Sequence, residues 1–107
     1  MANTFKNAAV AVGNTNTTLY TCPAATSAVV HAVFISNVDG TNDASVDLFV
    51  TDNSAGSDFH LMKTVNVPAD SSLIIEKPIN LEASDILKIK ASASGDLEAF
   101  ASVLEMT

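Results

Sequence analysis

Three consecutive stretches decide the fold class: Val46-Asp47-Leu48-Phe49-Val50, Asn53-Ser54-Ala55-Gly56-Ser57, and Phe59-His60-Leu61-Met62-Lys63-Thr64-Val65-Asn66-Val67. In the first, Val46, Leu48 and Val50 fall at every second position and so share one face of an extended chain. In the third, Phe59, Leu61, Val65 and Val67 share a face in the same way. The residues between them tolerate positive φ or hydrogen-bond to their own backbone, as a tight turn requires. The segment reads as strand, turn, strand, each strand half-buried.

The same alternation extends in both directions. Gly13-Asn14-Thr15-Asn16, Asp39-Gly40-Thr41-Asn42-Asp43 and Ser94-Gly95-Asp96 supply further turns, at the spacing of sandwiches and barrels. Pro23 and Pro68 end two more runs, because proline lacks an N–H and fixes φ. Strands are expected at about 4–12, 17–22, 28–37, 45–52, 59–67, 73–80, 86–93 and 97–106, eight in all. Over Glu98-Ala99-Phe100-Ala101-Ser102-Val103-Leu104 a helix competes, since Ala, Leu and Glu are good helix formers. The alternation of Leu97, Ala99, Ala101 and Val103 after a Gly95-Asp96 hairpin turn favours a strand. Pro23 to Val30 echoes Pro68 to Ile75, which reads either as two related halves or as turn chemistry arising twice. The expected architecture is all-β: one domain over 1–107, an eight-stranded antiparallel β-sandwich of jelly-roll or Greek-key type, which limits exposed edges.

A chain of 107 residues has room for one such domain, and 48% hydrophobic against 16% charged residues gives it enough apolar surface to fold. Twelve acids against five lysines and no arginine leave a net charge of −7, which repels phosphate backbones and argues against nucleic acid. One cysteine makes no internal disulfide. No charged head followed by a long apolar run opens the chain, so neither a secretory signal nor a membrane span is expected. The chain reads as a cytosolic product complete from Met1.

Two strands are apolar on both faces. From Ala28 to Ile35 one face holds Val30, Ala32 and Phe34 and the other Val29, Val33 and Ile35; in the last strand Leu97 and Val103 oppose Phe100 and Leu104. One face meets the core, and the other needs a cover that a neighbouring subunit would supply. A homo-oligomer or a place in a larger assembly is therefore expected, with Val29, Val33, Ile35, Leu104 and Met106 as contact residues. The alternative is that small residues and loops shield these faces.

Chemistry is sparse. His31, His60 and Cys22 lack the short spacings of a zinc site, and no nucleophile and base pair stands out, so neither an enzyme nor a cofactor is expected. If the strands alternate direction, Asp39, Asp43, Asp70 and Asp96 gather at one end of the sandwich, and Asp52, Asp58, Glu82 and Asp85 at the other. Asp39, Asn42 and Asp43 are weak calcium candidates, although their spacing departs from the twelve-residue calcium loop and Asx-turn chemistry explains the same residues. Sugar binding leans on aromatic platforms, yet tryptophan is absent, Tyr20 is the only tyrosine, and Phe34, Phe49, Phe59 and Phe100 fall within strands.

Leu19-Tyr20-Thr21-Cys22-Pro23-Ala24, Ile35-Ser36-Asn37, Val67-Pro68-Ala69-Asp70-Ser71-Ser72, Leu81-Glu82-Ala83-Ser84-Asp85-Ile86-Leu87-Lys88-Ile89 and Ser102-Val103-Leu104-Glu105-Met106-Thr107 resemble small β-sandwich virion structural proteins of tailed bacteriophages, those of marine phages especially. In that family the first proline turn usually reads valine-proline-alanine-glycine, and the later turn leucine-glutamate-alanine-glycine-aspartate. Here Cys22 stands for the valine, and Ala25 and Ser84 stand for the glycines, whose loss the local backbone must absorb. The resemblance implies a non-enzymatic virion component made in the host cytoplasm. Its partners would be its own copies and other virion proteins such as the major capsid protein. Capsid decoration or cementing is the leading role, with a neck or tail position as a variant and a glycan-binding adhesion module as the alternative. On this reading, Val33→Asp with Ile35→Asp is expected to abolish assembly while sparing the fold, as a sedimentation assay beside a thermal melt would report.

Overall fold

A computed structural model describes residues 2–107. Nine strands are present among them: β1 (Asn3–Ala11), β2 (Thr17–Thr21), β3 (Ser27–Asn37), β4 (Ala44–Asp52), β5 (Ser57–Val67), β6 (Ser72–Ile75), β7 (Ile79–Leu81), β8 (Ile86–Ala91) and β9 (Leu97–Met106). All pairings are antiparallel. The first sheet runs β1-β9-β3-β6, with β7 also on β3; the second runs β2-β8-β4-β5. The stretch 98–104 is strand, as the alternation predicts.

The expected eight strands become nine because the segment 73–80 divides. Pro78 has no N–H for the ladder, so pairing stops after Ile75 and resumes at Ile79, both pieces lying on β3. The break faces a second irregularity. Val30 pairs with Val103 and Ala32 with Ser102, leaving His31 as an extra residue in β3. Such a bulge shifts the side-chain alternation by one position.

That shift overturns the expected face of two contact residues. Before the bulge Ala28 and Val30 point inward; after it Val33 and Ile35 do, and both are fully buried. Val29 before the bulge, and Ala32 and Phe34 after it, are left on the outer side. A period of two run straight through His31 places Val29, Val33 and Ile35 together, whereas the folded strand separates them. β5 departs likewise: two register shifts against β4 bring Met62 opposite Leu48 and Val65 opposite Val46, so Leu61, expected inside, is exposed.

The core lies between the sheets. Val12, Val30, Val33, Ile35, Leu97, Ala99, Ala101 and Val103 from the first meet Val46, Leu48, Val67, Leu87 and Ile89 from the second. Small Ala99 and Ala101 on the central strand β9 let the sheets approach.

The proline turns keep an unusual backbone. Ala25 and Ser84, at the positions where the resembled family has glycine, adopt φ of 58° and 71°. Asp70, two residues after Pro68 as Ala25 is after Pro23, has φ of 57°. The left-handed backbone is retained without glycine, at a cost of roughly 1–2 kcal/mol for an L residue.

Two outcomes follow from this geometry. Ala25→Gly and Ser84→Gly are each expected to stabilise the fold by about 0.5–1 kcal/mol, relief of left-handed strain outweighing the added unfolded-state entropy, read as a raised denaturant midpoint. Val33→Asp is expected to unfold the protein, losing the cooperative melt, because a carboxylate without a partner in the core costs more than about 4 kcal/mol.

Candidate functional site

Along the outer face of the first sheet, register aligns apolar side chains into two rows. Ala9 pairs with Phe100, Phe100 with Phe34, and Phe34 with Ile74, so one row crosses four strands. Phe5 pairs with Leu104 and Leu104 with Val29, forming the second row. Asn7, Ser102 and Ala32 lie between the rows. Phe34 and Phe100 form a tilted pair, with ring centroids 6.4 Å apart and planes at 59°.

These side chains remain in water. Phe5 is 80% exposed, Ile74 47%, Phe100 43% and Phe34 40%. Val29, Leu104 and Met106 are half-buried. An open groove of 410 Å³ runs beside the first row, bordered by Ala9, Ala11, Phe34, Ser36 and Phe100, with Glu98 at its end. Met106 borders a separate depression with Ala25 and Ala83. The five expected contact residues thus divide: Val29, Leu104 and Met106 are on the surface, and Val33 and Ile35 are core. Phe5, Phe34, Ile74 and Phe100 complete the face. The alternation of Phe100 against Leu97 signalled one of them, but Phe5 and Ile74 needed the strand pairing.

The second sheet presents a different outer surface. Lys88 and Lys90 alternate with buried Leu87, Ile89 and Ala91, and Asp47 lies between Lys90 on one side and Lys63 on the other. Asp47 accepts a 2.7 Å bond from the Thr64 amide and lies 3.4 Å from the Lys63 ammonium. It thereby holds the bulge where Thr64 has φ of 53°. Phe49 is covered by the ring of His60 at 4.8 Å. One face is nearly uncharged and the other carries ions.

The acidic residues serve the loops. At one end, Asp39 Oδ1 accepts from the amides of Thr41 and Asn42, and Oδ2 from Asn42 Nδ2. Asp43 accepts from the Ala69 amide and Asn66 Nδ2. The carboxylate oxygens of the calcium candidates are therefore engaged, those of Asp39 by donors of its own loop and those of Asp43 by Asn66 and Ala69 across from it. Buried Asn37 ties the same end, donating to the carbonyls of Asn42 and Val67 and accepting from the Asp39 amide. At the other end Asp52, Glu82 and Asp85 bring one oxygen each within 4.8 Å of the others. Asp85, nearly buried, accepts from the amides of Asn53 and Glu82. Asp58 instead accepts from the Thr51 hydroxyl.

Three groups inside complete the survey. Tyr20 donates a 2.5 Å bond across the sandwich to Glu105 Oε2, and Lys6 approaches the other oxygen at 3.6 Å. Burial, then the Glu105 carboxylate, raises the Tyr20 pKa, so its hydroxyl keeps the proton it donates. Cys22 is buried and donates to the Thr26 carbonyl, and burial pushes its thiol up. It shares no site with His31, on the first sheet, or His60, on the second. Tyr20, inside, offers no platform to a sugar.

With this geometry the chain matches solved structures. A chain of the acidic stable capsid structure of Helicobacter pylori bacteriophage KHP30 aligns with a TM-score of 0.60 and 12% identity, covering 100% of this chain and 89% of that one. A pentameric capsid protein isolated from metagenomic phage sequences aligns with a TM-score of 0.40 and 19% identity, covering 94% of this chain and 59% of that one. No protein-family model and no curated protein matches the sequence. The first likeness establishes a shared fold.

Acid should loosen the loops. For Asp47, desolvation raises the pKa but the Thr64 amide and Lys63 outweigh it, leaving a net lowering; Thr41 and Asn42 lower Asp39, and Ser54 and Ala55 lower Asp52. A lowered folded pKa contributes stability above the unfolded value near about pH 4, lost as pH falls through the folded value. Asp96 is raised, by desolvation and then by Asp39, so its protonation acts in the opposite sense. Melting temperature is expected to drop below about pH 4, less steeply in Asp47→Asn. Tyr20→Phe is expected to cost about 1–3 kcal/mol at neutral pH, as it leaves Glu105 short of a donor, read by denaturant titration.

Proposed function

We propose that the protein is a bacteriophage virion structural protein that decorates or cements the capsid shell, acting without catalysis through packing between subunits. The observation that carries this reading is the outer face of the first sheet, where Phe5, Phe34, Ile74, Phe100, Leu104 and Val29 stand in register and in water. Apolar surface of this kind gains about 25 cal/mol for each Å² removed from water, and it is the component of a subunit that a neighbour covers. Val29, Leu104 and Met106 remain contact residues; Val33 and Ile35 act only by supporting the face from below.

Strand order supports the same reading. If β6 and β7 count as one strand interrupted at Pro78, the chain has eight, and the neighbouring first and last strands support the proposal of a jelly-roll type. The fold shared with a chain of the KHP30 capsid structure adds support at the level of architecture. Many copies on one lattice multiply a modest contact, since each bound neighbour favours the assembled state by mass action.

Phe34→Asp with Ile74→Asp sets two carboxylates opposite each other across β3 and β6 and is expected to lower the melting temperature while leaving the melt cooperative, both positions lying outside the core. The variant should be lost from particles sedimented after it replaces the parent gene. Retention at the parental level would refute the face as the contact. Antibody label over the whole shell supports decoration, and label confined to the neck or tail tip supports the variant position.

A further inference from the structure

Four strand edges bound the two sheets, and three are interrupted. β2 is five residues long with a register shift between Thr18 and Tyr20. β5 shifts register twice, and the β6 and β7 edge is broken at Pro78. Interruptions of this kind are how sheets avoid pairing with other chains. β1 has none. Its nine residues run against β9 from Asn3↔Met106 to Ala11↔Glu98 without a shift, with no proline and with Lys6 as the only charge.

The hydrogen-bond phase fixes which amides face outward. Ala2 and Thr107 exchange both backbone bonds, and the Val12 amide donates to the Leu97 carbonyl. Even-numbered residues of β1 therefore bond to β9, and Asn3, Phe5, Asn7, Ala9 and Ala11 turn N–H and C=O to the open edge. All five are exposed, and among the described residues their amides have no partner in the chain.

We propose that β1 pairs antiparallel with β1 of a second copy, about a two-fold axis through Asn7, joining the two first sheets into one. This register uses the whole strand: Asn3 opposes Ala11, Phe5 opposes Ala9, and Asn7 opposes its own copy. Sliding the axis to Lys6 sets two lysines opposite each other, which is unfavourable. At Asn7 each Lys6 instead faces Ala8. Each outward residue exchanges two bonds, roughly ten in all, in the range of an ordinary protein–protein interface. The apolar rows support the same register. The row Ile74, Phe34, Phe100, Ala9 continues into Phe5, Leu104 and Val29 of the second copy, and its symmetry mate does the converse. This goes beyond the face packing proposed above and does not require it, since the edge and the face are separate surfaces.

Residue-resolved amide exchange, read beside sedimentation over a micromolar to submillimolar series, tests the pairing. The chain is expected to dimerise, with the amides of Phe5, Asn7 and Ala9 gaining at least tenfold protection as dimer accumulates, while those of Lys6 and Ala8 do not change. Asn7→Pro removes one outward N–H and no bond to β9, and should weaken dimerisation at least tenfold with the melt retained. Asn7→Lys keeps the amide but places like charges on the axis, and should do the same. Phe34→Asp with Ile74→Asp should leave the dimer intact. A monomer throughout the series overturns the proposal, as does a dimer in which the odd-numbered amides still exchange fast. A dimer lost in the Phe34 and Ile74 variant but kept in both Asn7 variants overturns it in favour of face packing.

Discussion

Everything in this molecule depends on where side-chain alternation along β3 changes phase. β3 pairs with β9, β6 and β7, so its inner side chains meet the second sheet while its outer ones set the centre of the exposed surface. Because the period is two, one additional residue exchanges inside for outside. His31 is that residue, and it lies opposite the Pro78 interruption, so the bulge and the break accommodate each other. Without the shift, Val33 and Ile35 would stand in solvent and Phe34 would enter the core.

Polar groups hold the periphery of this arrangement. Tyr20 and Glu105 connect the sheets, and Lys6 balances the carboxylate. Asn37 gathers the loops at one end, and Asp85 does so at the other. Each buried side-chain nitrogen and oxygen finds a partner among the described residues, as low-dielectric burial demands. What these ties leave without an internal partner is the outer face of the first sheet and the edge of β1.

Much of the fold was legible because turn chemistry and alternation are local. Asn53 to Ser57, Asp39 to Asp43 and Gly95-Asp96 marked turns, and most strand boundaries fall within two residues of expectation. Alternation from Leu97 to Val103 favoured a strand over the competing helix, and the segment is strand. The failures have a common cause. Bulges at His31, Leu61 and Thr64 depend on the partner strand, which a single run of residues does not reveal. The identity of the contact face inherited that error: apolar residues on both sides of β3 were visible, but the side belonging to the core was not. Phe5 looked ordinary in a polar N-terminal strand until register set it beside Leu104 and Val29. The glycine replacements at Ala25 and Ser84 were visible, while the left-handed backbone they preserve was not.

The contrast between the two outer faces gives the molecule an orientation of its own. It carries hydrocarbon on one broad side and Lys63, Lys88, Lys90 and Asp47 on the other, the pattern of an amphiphile. Against an apolar surface it would lie one way up, turning its ionised side to the solvent. A layer of such molecules would replace an apolar exterior with a hydrated, ion-bearing one.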